Sequence, residues 1–300
     1  MANNITLFKN YVPLLDEVYK NASLTSVLDG AAELARYGVN ANELVIPKME
    51  MNGLGEYSRN DGYPTGDVTL TNETVKCNFD RGRMFQVDTL DDAETAGIAF
   101  GRLAGEFIRT KVVPELDAFR LATYASMANI GSTSAALSDA SGIVAALRAA
   151  INAMDEAEVP YDQRYLFITP TLIDKIADMD TSKSRAVLDR LAGIIRVPQT
   201  RMYTKITQYD GKTASDGAAE SPTPDQRPGG YVKASDGKNI NFILIHKPAV
   251  IQYQKHIAPK VIAPDQNQSA DAWKFGYRNV GIAQVYENKV KGIYCHKSTT

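Results

Sequence analysis

The stretch from Val45 to Asp88 constrains this chain more than any other. Apolar residues fall at 45, 49 and 51 with Lys48 and Glu50 between them, the period of two of a half-exposed strand. "NGLGEYSRNDGYPTG", residues 52 to 66, follows with four glycines and one proline and reads as the broad tip of a hairpin. Residues 67 to 88 then run extended. Val68 and Leu70 occupy even positions, whereas Val75, Cys77, Phe79, Phe85 and Val87 occupy odd ones, and this change of parity predicts a bulge or twist between the two groups. A two-stranded ribbon of about forty residues has too little apolar surface to offset the entropy of ordering it, so it must lie on another surface.

Behind the ribbon the sequence turns helical. In "DRGRMFQVDTLDDAET", residues 80 to 95, Asp91 is placed to cap a helix and Glu94 sits three positions on, as in a capping box, with Asp92 adding charge at the positive end of the dipole. Ala93, Ala96, Phe100, Leu103, Ala104, Phe107 and Ile108 keep three-and-four spacing, which resumes after Pro114 with Leu116 and Phe119. The pattern predicts one long helix kinked at the proline.

The remainder reads as a mixed α/β region. "IGSTSAALS", 130 to 138, is a soft break, and Ile143, Leu147, Ile151 and Met154 mark a helix ending near Pro160. "RYLFIT", 164 to 169, is a buried strand, and Thr169-Pro170 opens another helix. A strand is expected over 194 to 206. Residues 208 to 230, rich in Gly, Pro, Ser and Asp, are expected to form a mobile surface loop. "INFILIH", 240 to 246, is a fully buried strand, and a second strand runs through Ala249, Ile251 and Tyr253. Trp273, Phe275 and Tyr277 alternate, then Val280 and Ile282 take the other parity, so the C-terminal segment is extended and twisted, with aromatics that need a surface such as the long helix. Residues 5 to 37 have only loose helical spacing and read as an arm with short helical pieces.

Composition narrows the chemistry. The 300 residues carry a formal net charge of −2 with no polybasic block to grip nucleic acid or anionic lipid. Two distant cysteines, Cys77 and Cys295, form no CxxC, which suits a reducing compartment and indicates no zinc site. There is no signal-peptide pattern and no run of about eighteen apolar residues, so no membrane partner is expected and synthesis is placed in the cytosol. His246, His256 and His296 share no metal-ligand spacing, and GxSxG, GxxxxGK[ST] and GxGxxG motifs are missing. No catalytic residue, cofactor site or metal site is assigned. Asp88, Asp91, Asp92 and Glu94 do not have EF-hand spacing. Arg59, Arg81 and Arg83 share the ribbon with Glu56, Asp61 and Asp80, a mixture that favours ion pairs between protein surfaces over phosphate binding.

The order of arm, long hairpin, acid-capped helix with "VVPELDAFR" (112 to 120), mixed region and extended return resembles the major capsid proteins of tailed bacteriophages with the HK97 fold. The stretches that carry the likeness are "GLGEYSRNDGYPTGDVTLTNET", "DRGRMFQVDTLDDAET" and "WKFGYRNVGIAQVYENKVKGIY". The resemblance implies an α+β, HK97-like capsid fold. Its parts would be an N-terminal arm (1–44), an extended β-hairpin or E-loop (45–90), a peripheral domain (91–129 with its long spine helix, and 250–300), and an axial domain (130–249) holding the mobile loop 208–230. The E-loop would lie across a neighbouring subunit. Glu56, Arg59, Asp61, Asp80, Arg81, Arg83 and Asp88 become candidates for intersubunit contact, and Asp91 and Glu94 cap the spine helix.

The implied function is a structural subunit, not an enzyme, that assembles into pentamers and hexamers around double-stranded DNA. Its expected partners are copies of itself, a scaffolding protein, a portal and the packaged DNA. Its expected location is the virion, with assembly in the host cytoplasm. The alternatives are an encapsulin-type nanocompartment shell of the same fold and, from another class, a cytosolic α/β enzyme.

Overall fold

The computed structural model describes residues 23–30, 36–37, 43–60, 62–90, 98–179, 182–211 and 229–299. The first strands are β1 (Arg36–Tyr37), β2 (Glu43–Met51), β3 (Val68–Lys76) and β4 (Phe79–Asp88). Strands β1, β2 and β3 form one antiparallel sheet in which β2 and β3 pair without a register shift from Glu43↔Lys76 to Met51↔Val68. The parity change in the sequence is therefore not a bulge. It falls inside β3, between Val68 and Leu70, which are exposed, and Val75, which is buried at the hairpin base on the opposite face; the chain then leaves the hairpin at 77–78 and β4 enters a different sheet. Within β4 burial alternates with period two from Phe79 onward, as a strand covered on one face requires.

The long helix consists of α1 (Ile98–Phe107), a π-helical turn (Ile108–Val112) and α2 (Val113–Ser126). Its expected start at Asp91 and Glu94 lies outside the described residues. Pro114, at the start of α2, has no N–H to donate to the preceding turn, and the helix widens there to a π turn that accommodates the ring.

The chain continues through β5 (Gly131–Ser134), α3 (Ala140–Glu156), β6 (Arg164–Ile168), α4 (Pro170–Met179), α5 (Ser182–Leu188), β7 (Gly193–Arg196), β8 (Ile206–Asp210), β9 (Gly229–Lys233) and β10 (Ile240–His246). The return comprises β11 (Val250–Ile262), β12 (Ala272–Val285) and β13 (Ile293–Lys297). Asp139 caps α3 by accepting from the Gly142 amide.

A five-stranded sheet, ordered β5-β13-β10-β6-β7, forms the centre of the second half. Its three inner strands, β13, β10 and β6, are buried on both faces, which explains their apolar runs, whereas the edge strands β5 and β7 are partly exposed. Leu166, Ile168, Phe242, Leu244 and Tyr294 face α3 and α4. Phe167, Ile243, Ile245, Ile293 and Cys295 face the end of the long helix at Leu121, Tyr124 and Ala125. Strand β13, grouped on sequence with the 250–300 return, sits instead inside this sheet, between β5 and β10. The expected strand over 194–206 is only Gly193–Arg196, followed by a 3-10 turn (Gln199–Arg201). The ends of the expected loop 208–230 are paired as β8 and β9; residues 212–228, and with them the expected mobility, lie outside the described residues.

A three-stranded sheet, β11-β12-β4, packs one face on the long helix. Phe79, Phe275 and Tyr277 bury against Ala104, Ile108, Val113 and Leu116, so the C-terminal aromatics find the surface that their alternation requires. The parity change in β12 sits opposite an extra residue in β11, between Gln254 and His256.

Candidate assembly interface

Seven of the thirteen exposed large apolar side chains among the described residues lie between 49 and 70, on the β2–β3 hairpin. They are ordered. The register sets Met49 opposite Leu70 and Met51 opposite Val68, so these four share one face as two cross-strand pairs. Each is 56–69% exposed. Beyond them the tip carries Leu54, fully exposed, and the Tyr57 and Tyr63 rings, whose centroids are 4.9 Å apart. At the base Val75 is buried with Ile251 and Ile282, which fixes the hairpin to the three-stranded sheet. A contiguous apolar strip of this kind is a candidate contact surface.

The charges of the ribbon separate into two groups. Glu56 and Arg59 lie exposed in the tip; Asp61 lies outside the described residues. Asp80 pairs with Arg278 of β12 through two hydrogen bonds of 2.8 and 2.6 Å, both side chains half exposed. Arg81 Nε contacts Glu115 Oε1 at 2.8 Å and its Nη2 donates to the Gly230 carbonyl. Gln208 donates to the same Glu115 carboxylate, which therefore joins β4, the long helix and β8. Burial pushes the Glu115 carboxyl upward, and the Arg81 guanidinium opposes that shift. Arg83 lies against Gly211, where φ is +67° and a Cβ would stand 2.9 Å from the Arg83 Nη1. Asp88 accepts from the Leu90 amide and orders the turn that follows β4. Asp80, Arg81 and Asp88 thus have partners within their own chain.

Between β4, the long helix and the β8–β9 pair runs a cleft of about 1400 Å³. Phe79, Phe107, Tyr203, Tyr209, Tyr231 and Asn279 are among the residues that line it. Tyr231 donates its hydroxyl proton to the Thr200 carbonyl at 2.9 Å, and burial pushes its phenol up to about 12.

A second polar feature fastens the N-terminal segment. The Asp117 carboxylate, with no exposed surface, accepts from Ser23 Oγ, the Leu24 and Thr25 amides, Thr25 Oγ1 and Arg201 Nη1. Arg120 donates to Thr25 Oγ1 and approaches Asp29 at 3.4 Å, while Gln252 donates to Thr25 O and Asp29 Oδ1. Sequence reasoning missed this clasp and the cleft. The available signals were Asp117 and Arg120, three apart within an apolar helix stripe, and Asn279 on the same strand face as Phe275 and Tyr277.

No protein-family model matches the chain, and neither does any curated protein. Solved structures do match. The Gordonia phage Cozz structure aligns with a TM-score of 0.59 at 12% identity, covering 93% of this chain and 87% of the other. The capsid structure of cyanophage P-SCSP1u aligns at 0.56 and 12% identity, covering 88% and 86%. The virus-like particle from Pyrococcus furiosus aligns at 0.54 and 12% identity, covering 94% and 95%. This chain has the HK97-type capsid fold.

In the vocabulary of that capsid fold, the β2–β3 hairpin is the E-loop and the helix from Ile98 to Ser126 is the spine. The exposed strip runs along the E-loop, and the clasp sits where the spine meets the N-terminal segment. Such low identity leaves only the arrangement of elements in common, which is why sequence comparison alone does not find these structures.

Proposed function

We propose that this chain is the subunit of a closed protein shell, assembled from pentamers and hexamers, that encloses double-stranded phage DNA. The observation that carries the reading is the strip Met49, Met51, Val68 and Leu70 on a hairpin whose own chain leaves it uncovered. Burying an apolar side chain of this size contributes about 1.5–3 kcal/mol, so copies that cover one another's strips gain what a lone copy cannot. The capsid fold supports the same reading. Function then resides in interfaces between copies, with Glu56 and Arg59 at the hairpin tip as candidates for pairing across subunits. A scaffolding protein and a portal complete the set of partners, and the virion is the final location, reached after assembly in the host cytoplasm.

A second reading in the same fold, a compartment shell without packaged DNA, is favoured by the match to the Pyrococcus furiosus virus-like particle across nearly all of both chains. Electron microscopy of the purified protein, with and without a candidate scaffold, tests the shell; nuclease-protected nucleic acid in the particles separates the two readings. Closed particles are expected. A compact monomer at every concentration, with the hairpin folded against its own body, would overturn both.

A further inference from the structure

Asn52 and Gly53 form the only Asn-Gly step in the chain and stand immediately after Met51, the last residue of β2. Both are exposed and outside any strand. The Asn52 backbone N–H donates to the Asp67 carbonyl at 3.4 Å, but among the described residues the Asn52 side-chain amide makes no hydrogen bond and the Gly53 N–H donates to none. A Cβ placed on Gly53 would meet nothing within 4 Å, so no described neighbour crowds the step. Other asparagines are held. Asn78 donates to the Ala283 carbonyl and accepts from the Ala283 amide, Asn241 donates to the Ala135 carbonyl, and Asn267 accepts from Ser269, with Phe79, Phe242 and Gln268 following them. Asp29-Gly30 and Asp236-Gly237 share the glycine, but there its N–H is engaged with the Gln252 and Ala234 carbonyls.

We propose that Asn52 is a site of spontaneous covalent modification, in which the Gly53 backbone nitrogen attacks the Asn52 side-chain carbonyl. The reaction is intramolecular and needs only water. Gly53 N bonds to Asn52 Cγ, the Cγ–Nδ2 bond breaks, and ammonia leaves with the proton that Gly53 gives up, closing a cyclic imide. Water then opens the ring. Cleavage at Cγ leaves an aspartate, and cleavage at the Asn52 backbone carbonyl leaves an isoaspartate, whose main chain is longer by one methylene. Glycine favours the closure because no Cβ crowds its nitrogen and its backbone turns freely. Either product places a carboxylate one rung beyond the Met51–Val68 pair, opposite Asp67. The consequence rests on the shell reading above: that carboxylate has to be desolvated wherever a neighbour covers the end of the strip, so modified copies join a shell poorly. Copies that wait unassembled therefore lose competence with age.

Ageing the unassembled subunit at neutral and mildly alkaline pH, followed by digestion and mass spectrometry, tests the site. The peptide holding Asn52 is expected to gain the mass difference between an amide and a carboxylic acid, as two isomeric products. The gain is faster in alkali, because the Gly53 nitrogen attacks once its proton is lost. Gly53→Ala, for which there is room, is expected to slow it severalfold, and Asn52→Gln to remove it. A tip peptide that keeps its amide, or that changes no faster than the peptides holding Asn78 and Asn241, would overturn the site whether or not the chain forms particles. Particle yield from aged parent subunits is expected to fall in step with the conversion, while aged Asn52→Gln keeps the yield of fresh protein. Conversion without loss of yield, or equal loss in both, would overturn the effect on assembly and leave the modification standing. A chain that forms no particles even when fresh refutes the shell reading and that effect together, and the mass shift still decides the modification.

Discussion

Arg201 donates to Oδ2 of Asp117 across 3.0 Å and so ties the turn after β7 to the spine helix at a fully buried carboxylate. That carboxylate also accepts two hydroxyl and two amide donors from Ser23, Leu24 and Thr25. The three parts it joins are distant in sequence, so the clasp closes long loops. Removing one member of a buried charged network leaves its partners desolvated and unpaired. Asp117→Ala is expected to cost about 3–5 kcal/mol, and Asp117→Asn less, because the amide oxygen still accepts. Urea unfolding of the unassembled subunit measures both. Equal costs for the two substitutions would mean that the charge, and not the acceptor, holds the segment.

The two ion pairs on β4 are expected to differ in weight. Arg278 and Asp80 are half exposed, and surface pairs contribute about 0–1 kcal/mol, so Asp80→Ala changes the melting temperature little. Arg81 and Glu115 are largely buried, with side-chain exposures of 28% and 13%. Arg81→Ala removes the partner of a carboxylate already pushed upward by burial, and a cost of about 1–3 kcal/mol is expected. Thermal melts of the unassembled subunit give the order. A larger loss from Asp80→Ala would contradict the burial argument.

Acid should weaken the subunit through two histidines. His296 is buried against the Phe242 ring, with its Nδ1 at 3.0 Å from Asn241 Nδ2, and burial holds its pKa below the ordinary value. His246 is lowered chiefly by burial and further by the Arg164 and Lys289 charges, with Asp162 opposing. In both cases the unfolded chain takes up a proton at about 6.5, before the folded chain does. Stability is therefore full above that pH and falls as pH drops from it toward the lower folded values. Melts between about pH 7.5 and pH 5 should show this loss, and His296→Gln should flatten it. A melting temperature that rises on acidification would reverse the sign and reject the assignment.

The sequence made the long-range frame legible because its periodicities are strong. The hairpin, the long helix and the buried strand Ile240–His246 each carry a pattern that only one element satisfies. Parity did not decide between a bulge and a twist at 68–88, because β3 keeps its register while one of its faces is apolar and exposed at Val68 and Leu70 and the other is buried at the base at Val75. On sequence β13 could only be grouped with the 250–300 return, because "IYCHK" is apolar enough to be buried anywhere and only the pairing with β5 and β10 decides its sheet. The charged residues were the least legible. Arg81 reads as a candidate for pairing across protein surfaces until Glu115, more than thirty positions away, is folded beside it. Asp117 and Arg120 look like ordinary helix charges until the N-terminal segment is laid against them.

The strip on the hairpin gives the sharpest separation between folding and assembly. Met49, Met51, Val68 and Leu70 are already more than half in water, so Met51→Lys with Leu70→Lys should leave the unassembled subunit within about 0.5 kcal/mol of the parent. In a shell, covering the remaining exposed surface of the four side chains would contribute about 4–7 kcal/mol per copy. That is comparable with the lower estimates of the cost of bringing two copies together. Placing two ammonium groups in that contact removes the gain and adds a desolvation penalty. Soluble subunits with an unchanged melting temperature and no closed particles are expected by microscopy and sedimentation. If the double variant still assembles, the strip faces solvent in the shell, and the contact that holds neighbouring copies lies elsewhere on the hairpin.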